Sequence, residues 1–270
     1  MKSLDRMCVH TITTKPWSLE EAIEAYQAAG VRGITVWRDA IAPYGKERAG
    51  RMLERSDLEV VSLARGGFFP AESEEERREA IDENRRAIDE AAAIGAPIVV
   101  LVCGAVPGMT LDTARGQIRE GIAVIAPHAK ECGVQLAIEP LHPMYADSRS
   151  AVVTLAQAND MVEALSLENV GVAVDVYHLW WDPALEKEIE RAGDSILAFH
   201  VCDWRTPTRE LLTDRGLMGE GCINVPRIRG WVEKAGFSGF NEVEIFSEEY
   251  WVRDQGEYLN DIVRAYREHV

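Results

Sequence analysis

Residues 170–176 read Val170-Gly171-Val172-Ala173-Val174-Asp175-Val176, apolar at almost every position and carrying one acid near the end. A parallel strand covered on both faces reads this way, whereas a strand with one wet face alternates. Seven more runs of the same kind occupy 7–12, 33–37, 59–64, 97–103, 134–139, 196–201 and 241–246. Helical patterns separate them. Ser18-Leu19-Glu20-Glu21 is a capping box and Gly30 a stop, and Ser73-Glu74-Glu75-Glu76 opens a charged helix that ends near Gly95. Further helices are expected over 46–55, 110–133, 150–165, 183–193, 226–236 and 256–268. The loops after the strands are the longer ones, notably 140–150 and 203–224.

Eight strand–helix units in about 250 residues predict an α/β fold, a closed single-domain (β/α)8 TIM barrel over residues 1–270. A doubly wound open sheet is the competing topology, and it binds nucleotides at a Gly-rich first turn. Here that turn is His10-Thr11-Ile12-Thr13-Thr14-Lys15, without glycine. Gly66-Gly67 is too short for a phosphate cradle, and no Walker-type motif occurs.

The chain carries 29 Lys+Arg against 45 Asp+Glu, a net charge of −16. That balance argues against nucleic acid and anionic membrane as partners, which require a basic footprint. It leaves open whether some carboxylates serve more than solubility. The five cysteines are scattered, with no C-x-x-C pair, so no disulfide framework or zinc–cysteine site is expected. Residues 1–10 show no leader-like apolar run, and no stretch reaches the ~18 apolar residues of a membrane span. A cytoplasmic location is the expectation.

In such a barrel the working residues stand at the C-terminal ends of the strands. Those ends are His10, Trp37-Arg38, Arg65, Cys103, Glu139, Asp175, His200 and Glu244. The last four end successive strands and would place three carboxylates and one imidazole around one point. Buried ionisable groups need partners. Three neighbouring anions are naturally compensated by a divalent cation, and oxygen-rich ligation with one nitrogen suits Mn²⁺, with Mg²⁺ or Co²⁺ as alternatives. Singly, each has a structural explanation: Glu139 bonding loop N–H groups, Asp175 capping a helix, His200 satisfied in the core, Glu244 paired to an arginine. Glu242 shares the strand face of Glu244 and competes with it as ligand; Glu244 is preferred as nearer the strand end.

The stretches Ile138-Glu139-Pro140-Leu141-His142, Val174-Asp175-Val176-Tyr177-His178, Phe199-His200-Val201-Cys202-Asp203, Gly219-Glu220-Gly221 and Val243-Glu244-Ile245-Phe246 resemble a known family. It is the xylose isomerase-like barrels, the sugar phosphate isomerases/epimerases, which include D-tagatose 3-epimerase, hydroxypyruvate isomerase, inosose dehydratase and endonuclease IV. The resemblance covers nearly the whole chain. It implies that Glu139, Asp175, His200 and Glu244 hold the catalytic metal and that His178 meets the substrate. It also implies proton transfer at a carbon beside a carbonyl, the metal stabilising an enediolate. Glu139 and Glu244 would exchange protons with the two faces of that intermediate. Homologous barrels are commonly dimers or tetramers, so a homo-oligomer is implied.

His142, three residues past Glu139, is either a loop-packing histidine or a second general base. Trp37, Trp180, Trp181, Trp204 and Trp251 fall just past strands, where aromatic faces stack on sugars or form a loop core. Among Arg38, Arg65, Arg149 and Arg205, one could bind a substrate anion, but surface ion pairing is the expectation in so acidic a chain. An aromatic rim with few clustered cations points to an unphosphorylated carbohydrate. The candidate catalytic residues are Glu139, Glu244 and His142. The candidate substrate contacts are His178, His10, Trp37, Arg205, Trp181 and Trp204.

The leading expectation is thus a metal-dependent keto-sugar or keto-polyol isomerase/epimerase of carbohydrate metabolism. The alternative is a lyase or deglycosidase on 3-oxo-glycosides with His142 as base. The latter follows from similarity to the barrel subunit of C-glycoside deglycosidases, in which a small second subunit completes the site. A DNA-repair nuclease and a non-enzymatic sugar-binding barrel rank below both.

Overall fold

The structure is a computed structural model that describes residues 3–270. Met1 and Lys2, part of the stretch read above for a leader, lie outside the described residues. Eight parallel strands form the closed barrel: β1 (Met7–His10), β2 (Gly33–Trp37), β3 (Glu59–Gly67), β4 (Ile98–Val102), β5 (Gln135–Glu139), β6 (Val170–Asp175), β7 (Ile196–Val201) and β8 (Asn241–Val243). Each pairs with its neighbours in sequence, and β8 closes on β1 through Met7↔Asn241 and Val9↔Val243.

Eight helices cover the outside: α1 (Leu19–Ala28), α2 (Lys46–Glu54), α3 (Glu74–Ile94), α4 (Leu111–Glu131), α5 (Leu155–Leu165), α6 (Leu185–Ala192), α7 (Val225–Lys234) and α8 (Gln255–His269). Both expected capping boxes form, with Ser18 and Glu21 on α1 and Ser73 and Glu76 on α3. Gly95 ends α3 in the left-handed conformation at φ 75°. Helix α5 starts later than its serine suggested. Ser150 bridges Gly104 and its hydroxyl bonds Val152, so Thr154 supplies the cap. Strand β8 is shorter than expected and β3 longer.

Inward-pointing residues alternate along each strand. The floor of the barrel is apolar and small: Ile98, Val100, Ala137, Ala173 and Ala198 pack together. Two residues further along, the same pleat turns Glu139, Asp175 and His200 inward. The register places Asp175 opposite His200, and His200 opposite Glu242. A small floor below a polar layer leaves the functional side chains facing one another at the C-terminal end. Among the described residues, no helix is long and apolar enough to cross a membrane, and all five cysteines are free.

Candidate metal centre

Glu139, Asp175, His200 and Glu244 each offer one ligand atom, and these four atoms lie within 4.8 Å of one another. All four residues are buried. His200 Nδ1 stands 3.0 Å from Glu139 Oε1 and 3.8 Å from Glu244 Oε2. The approach to Glu139 is off the hydrogen-bonding direction: Glu139 Oε1 and both His200 nitrogens have no hydrogen-bond partner. Buried polar atoms are rarely left this way. Ligand-type atoms that converge without hydrogen-bonding one another fit a cation held at their centre, and three oxygens with one nitrogen fit a divalent one. These four residues could therefore hold a metal.

The electrostatics agree. Burial raises the Asp175 carboxyl to about 7, with Glu244 and Glu139 adding to it and Arg215 opposing. Burial works to lower His200, but the adjoining Glu139, Glu242 and Glu244 carboxylates outweigh it and push the imidazole up to about 10. The cluster attracts positive charge strongly. His10, His200 and Glu244 form a second, overlapping triad of ligand atoms within the same limit.

The competing acid, Glu242, is placed elsewhere. Its Oε2 accepts hydroxyl hydrogen bonds from Thr35 (2.6 Å) and Ser62 (3.0 Å) and sits 3.2 Å from His10 Nε2. It lies beside His200, 3.9 Å from its Nε2. His10 is wholly buried between Glu242 and Glu244, with Nδ1 3.1 Å from Glu244 Oε1. Trp37 Nε1 lies 3.2 Å from that same Nδ1. His10 is thus held between the two acids at the end of the last strand.

Arg215 was not singled out in the sequence. It comes from a short antiparallel ribbon, Asp203–Trp204 paired with Arg215–Gly216, inside what read as one long loop. Its Nη1 donates to Asp175 Oδ2 (2.9 Å) and Glu244 Oε2 (2.8 Å), while Nη2 lies 3.1 Å from His178 Nε2. The guanidinium is sandwiched by Tyr177 at 4.3 Å and Phe246 at 5.1 Å. Burial favours its neutral form, but Asp175 and Glu244 hold it charged. The usable signal was its position four residues before the Gly219-Glu220-Gly221 turn. Asp203 ties that turn to the ribbon by accepting from Gly219 N and Ile223 N, both at 2.9 Å.

His178 stands beside Asp175, Nε2 to Oδ2 3.5 Å. Burial, reinforced by Arg215, holds it well below its usual value, so the ring is neutral. His142 sits on the loop above. Its ring packs between Trp204 at 5.1 Å and Trp181 at 5.6 Å, and burial lowers its pKa. Trp181 is anchored by donating to the His178 carbonyl at 2.7 Å, and Trp204 leans on Tyr177 at 4.7 Å. These rings make an aromatic wall on one side of the cluster. Trp37 contributes to the other side with Phe246 at 5.2 Å. Arg205 is not brought to the cluster: its guanidinium engages Glu220, Glu249, Asp214 and the Tyr250 hydroxyl.

Relatives share this architecture. Two proteins named inosose isomerase are similar in sequence. The one from Halalkalibacterium halodurans is 29% identical over 193 residues, 68% of this chain and 65% of that protein. The one from Bacillus velezensis is 27% identical over 261 residues, 91% of this chain and 90% of that protein. Among solved structures, protein SMc04130 from Sinorhizobium meliloti 1021 superposes with a TM-score of 0.96 at 47% identity over 99% of both chains. The IOLI protein with a bound zinc atom reaches 0.87 at 20% identity over 98% of both chains. D-psicose 3-epimerase reaches 0.80 at 15% identity over 97% of both chains. At such identities the last two speak for the fold alone. The defining pattern of the xylose isomerase-like TIM barrels matches residues 23–268, and the chain belongs to that family.

Proposed function

We propose that the chain is a divalent-metal-dependent isomerase or epimerase acting on a keto-sugar or keto-polyol, with Glu139, Asp175, His200 and Glu244 as the metal's ligands. The observation that carries this reading is the set of converging, unpartnered donor atoms on Glu139 and His200 beside two further buried acids. The names of the relatives support the reaction class: inosose isomerase in sequence and D-psicose 3-epimerase in fold. The bound zinc of the IOLI structure supports a metal in such a barrel; for this oxygen-rich donor set we favour Mn²⁺, with Mg²⁺ or Co²⁺ next.

A divalent ion held there supplies positive charge for the oxygen that becomes anionic when the carbon beside a carbonyl loses its proton. The protein's own groups do the rest. Glu244 is kept ionised by Arg215 and His10, against the effect of burial, so it stands in its proton-accepting form. Glu139 is the second acid of the pair: in this reading one carboxylate removes the carbon proton and the other returns it to the opposite face or the neighbouring carbon. Arg215 and His178 offer hydrogen bonds to substrate oxygens, and the Trp181 and Trp204 wall receives the ring's apolar face. The lyase alternative needs His142 as a base. Its Nδ1 already accepts the Met144 N–H at 3.2 Å, which puts the neutral ring's proton on Nε2 and favours a donor.

The test is solvent deuterium incorporation. Metal-loaded protein in D₂O is incubated with inosose, D-fructose and a 3-oxo-glucoside, and exchange at the carbon beside the carbonyl is followed by NMR. Exchange into a free ketose or inosose that is lost on chelation supports the reading. Elimination of the aglycone without such exchange rejects it in favour of the lyase.

A further inference from the structure

Several arginines around the barrel mouth are neutralised. Arg38 pairs with Glu83 and Glu90, Arg205 with Glu220 and Glu249, and Arg215 with Asp175 and Glu244. Arg65 and Arg149 are not. Neither guanidinium makes a hydrogen bond or ion pair with any described residue; each only lies over an aromatic ring. In a chain with 45 acids and 29 bases this is the reverse of the expected surface pairing.

The two stand on one shelf. Arg65 is 4.3 Å over Phe68 and Arg149 is 5.8 Å over Tyr145. Phe68 and Tyr145 pack in the same cluster with Val102 and Leu141, at the ends of β4 and β5. The shelf adjoins the metal centre, since the Tyr145 ring is 5.9 Å from that of His178. Burial lowers the pKa of Arg65, the like charge of Arg149 lowers it further, and Asp39 and Glu139 oppose this through space.

The position of Arg65 is built into the backbone. Ala64 pairs with Val100 and Gly66 with Leu101, so Arg65 is one extra residue in β3. Bulges of this kind re-aim a side chain and cluster next to active sites. Asn84, buried on α3, holds the bulge: its Oδ1 accepts the Gly67 N–H (2.6 Å) and its Nδ2 donates to the Gly67 carbonyl (2.7 Å). A side chain at Gly67 is excluded, because a Cβ there would lie 1.9 Å from the Val102 oxygen. The bulge walls a cavity of about 270 Å³ on the Arg65 side of the shelf, together with Trp37, Asp39, Phe68 and Glu83; Arg149 lies outside its lining. Trp37 also contacts His10, which adjoins the acids of the centre.

We propose that Arg65 and Arg149 form an anion subsite, so that the keto-sugar or keto-polyol turned over at the centre carries a carboxylate or a phosphate. Two guanidiniums without ion-pair partners, close enough for the charge of one to act on the other, are the groups that take either anion in paired hydrogen bonds. The inference rests on the proposed isomerase reading for the rest of the ligand, and it departs from the unphosphorylated substrate expected from composition.

The test compares three probes on the metal-loaded full-length protein: D-fructose, D-fructose 6-phosphate and 5-keto-D-gluconate. Calorimetry is expected to give at least tenfold tighter binding for one charged probe than for D-fructose, and the two charged probes distinguish phosphate from carboxylate. The preference should weaken with added salt. In the Arg65→Gln/Arg149→Gln double variant it should fall at least tenfold while D-fructose binding and the melting temperature stay unchanged. No preference in the wild type, or one that survives the double variant, overturns the subsite. Deuterium incorporation into the same probes reports separately on the isomerase reading. Exchange into D-fructose with no charge preference removes the subsite alone. Arginine-dependent binding without exchange into any probe upholds the subsite and removes the isomerase.

Discussion

The backbone N–H of His142 donates to Nδ1 of His178 across 3.2 Å. Since a backbone N–H can only donate, the His178 Nδ1 is the acceptor and its neutral ring carries hydrogen on Nε2. That Nε2 faces Arg215 Nη2 at 3.1 Å, and a guanidinium also only donates. Two donors thus meet beside the cluster with the long approach to Asp175 Oδ2 as the ring's protein acceptor. A substrate oxygen entering there would accept from both. The strand-end loops after β5 and β6 are thereby linked into one unit that fixes the tautomer of each histidine.

The same logic decides what His142 does. As the neutral ring is a donor at Nε2, deleting it should slow exchange into ketoses by no more than about tenfold, the scale of losing one ordinary hydrogen bond. His142→Asn should do better than His142→Ala, because asparagine can still accept the Met144 N–H and hold the loop. Deuterium exchange rates of the two variants check this. A drop of a thousandfold or more in both would restore His142 as an essential base.

Glu139→Gln and Glu244→Gln separate ligation from proton transfer. Either change keeps the shape but removes a carboxylate's charge and basicity. Each is expected to cut exchange by about 10²–10⁴, the range of a general acid–base group. Glu244→Gln should also weaken metal retention, seen by elemental analysis after gel filtration, while circular dichroism stays native. Wild-type exchange in Glu244→Gln would refute its assignment.

The barrel was legible because eight buried parallel strands leave eight consecutive apolar runs, and Asp175 and His200 ended theirs as the pleat required. The acids at strand ends could be found by position alone. Arg215 ends no strand run, and a two-residue ribbon leaves no periodic signal, so only its spacing from the Gly219-Glu220-Gly221 turn pointed to it. Nor could Glu242 and Glu244 be separated by period. What separates them is the hydroxyl pair of Thr35 and Ser62, reached across the barrel from other strands. The unpaired state of Arg65 was equally hidden, since composition favours a partner and only the fold shows that Asp39 and Glu139 act on it through space without an ion pair.

Chelation gives a third prediction. A metal that binds the folded chain alone stabilises it, by about 2.7 kcal/mol when its concentration is a hundred times the dissociation constant. For a chain of this size, removal should lower the melting temperature by roughly 5–10 °C. The shift should vanish in Glu244→Gln. An identical melting temperature with excess Mn²⁺ and with a chelator would exclude a tightly held ion at these four residues.

The last prediction concerns stability outside the centre. Glu188 on α6 is almost wholly buried, and its Oε2 accepts from Asn159 Nδ2 (3.2 Å) and Arg191 Nη1 (3.1 Å). Burial raises its pKa, but the bonds from Asn159 and Arg191 outweigh this and hold it below the ordinary 4.5. A depressed acid contributes stability that is fully present above its unfolded pKa and is lost as pH falls through the folded value. Glu188→Gln should therefore cost about 1.5–3 kcal/mol at pH 7, as for a hydrogen bond to a charged group. The deficit should shrink below about pH 4.5 as the wild-type carboxylate is protonated. Urea unfolding of both proteins from pH 7 to pH 3 measures it. A deficit that stays constant over that range would mean that the glutamate acts through its shape and not its charge.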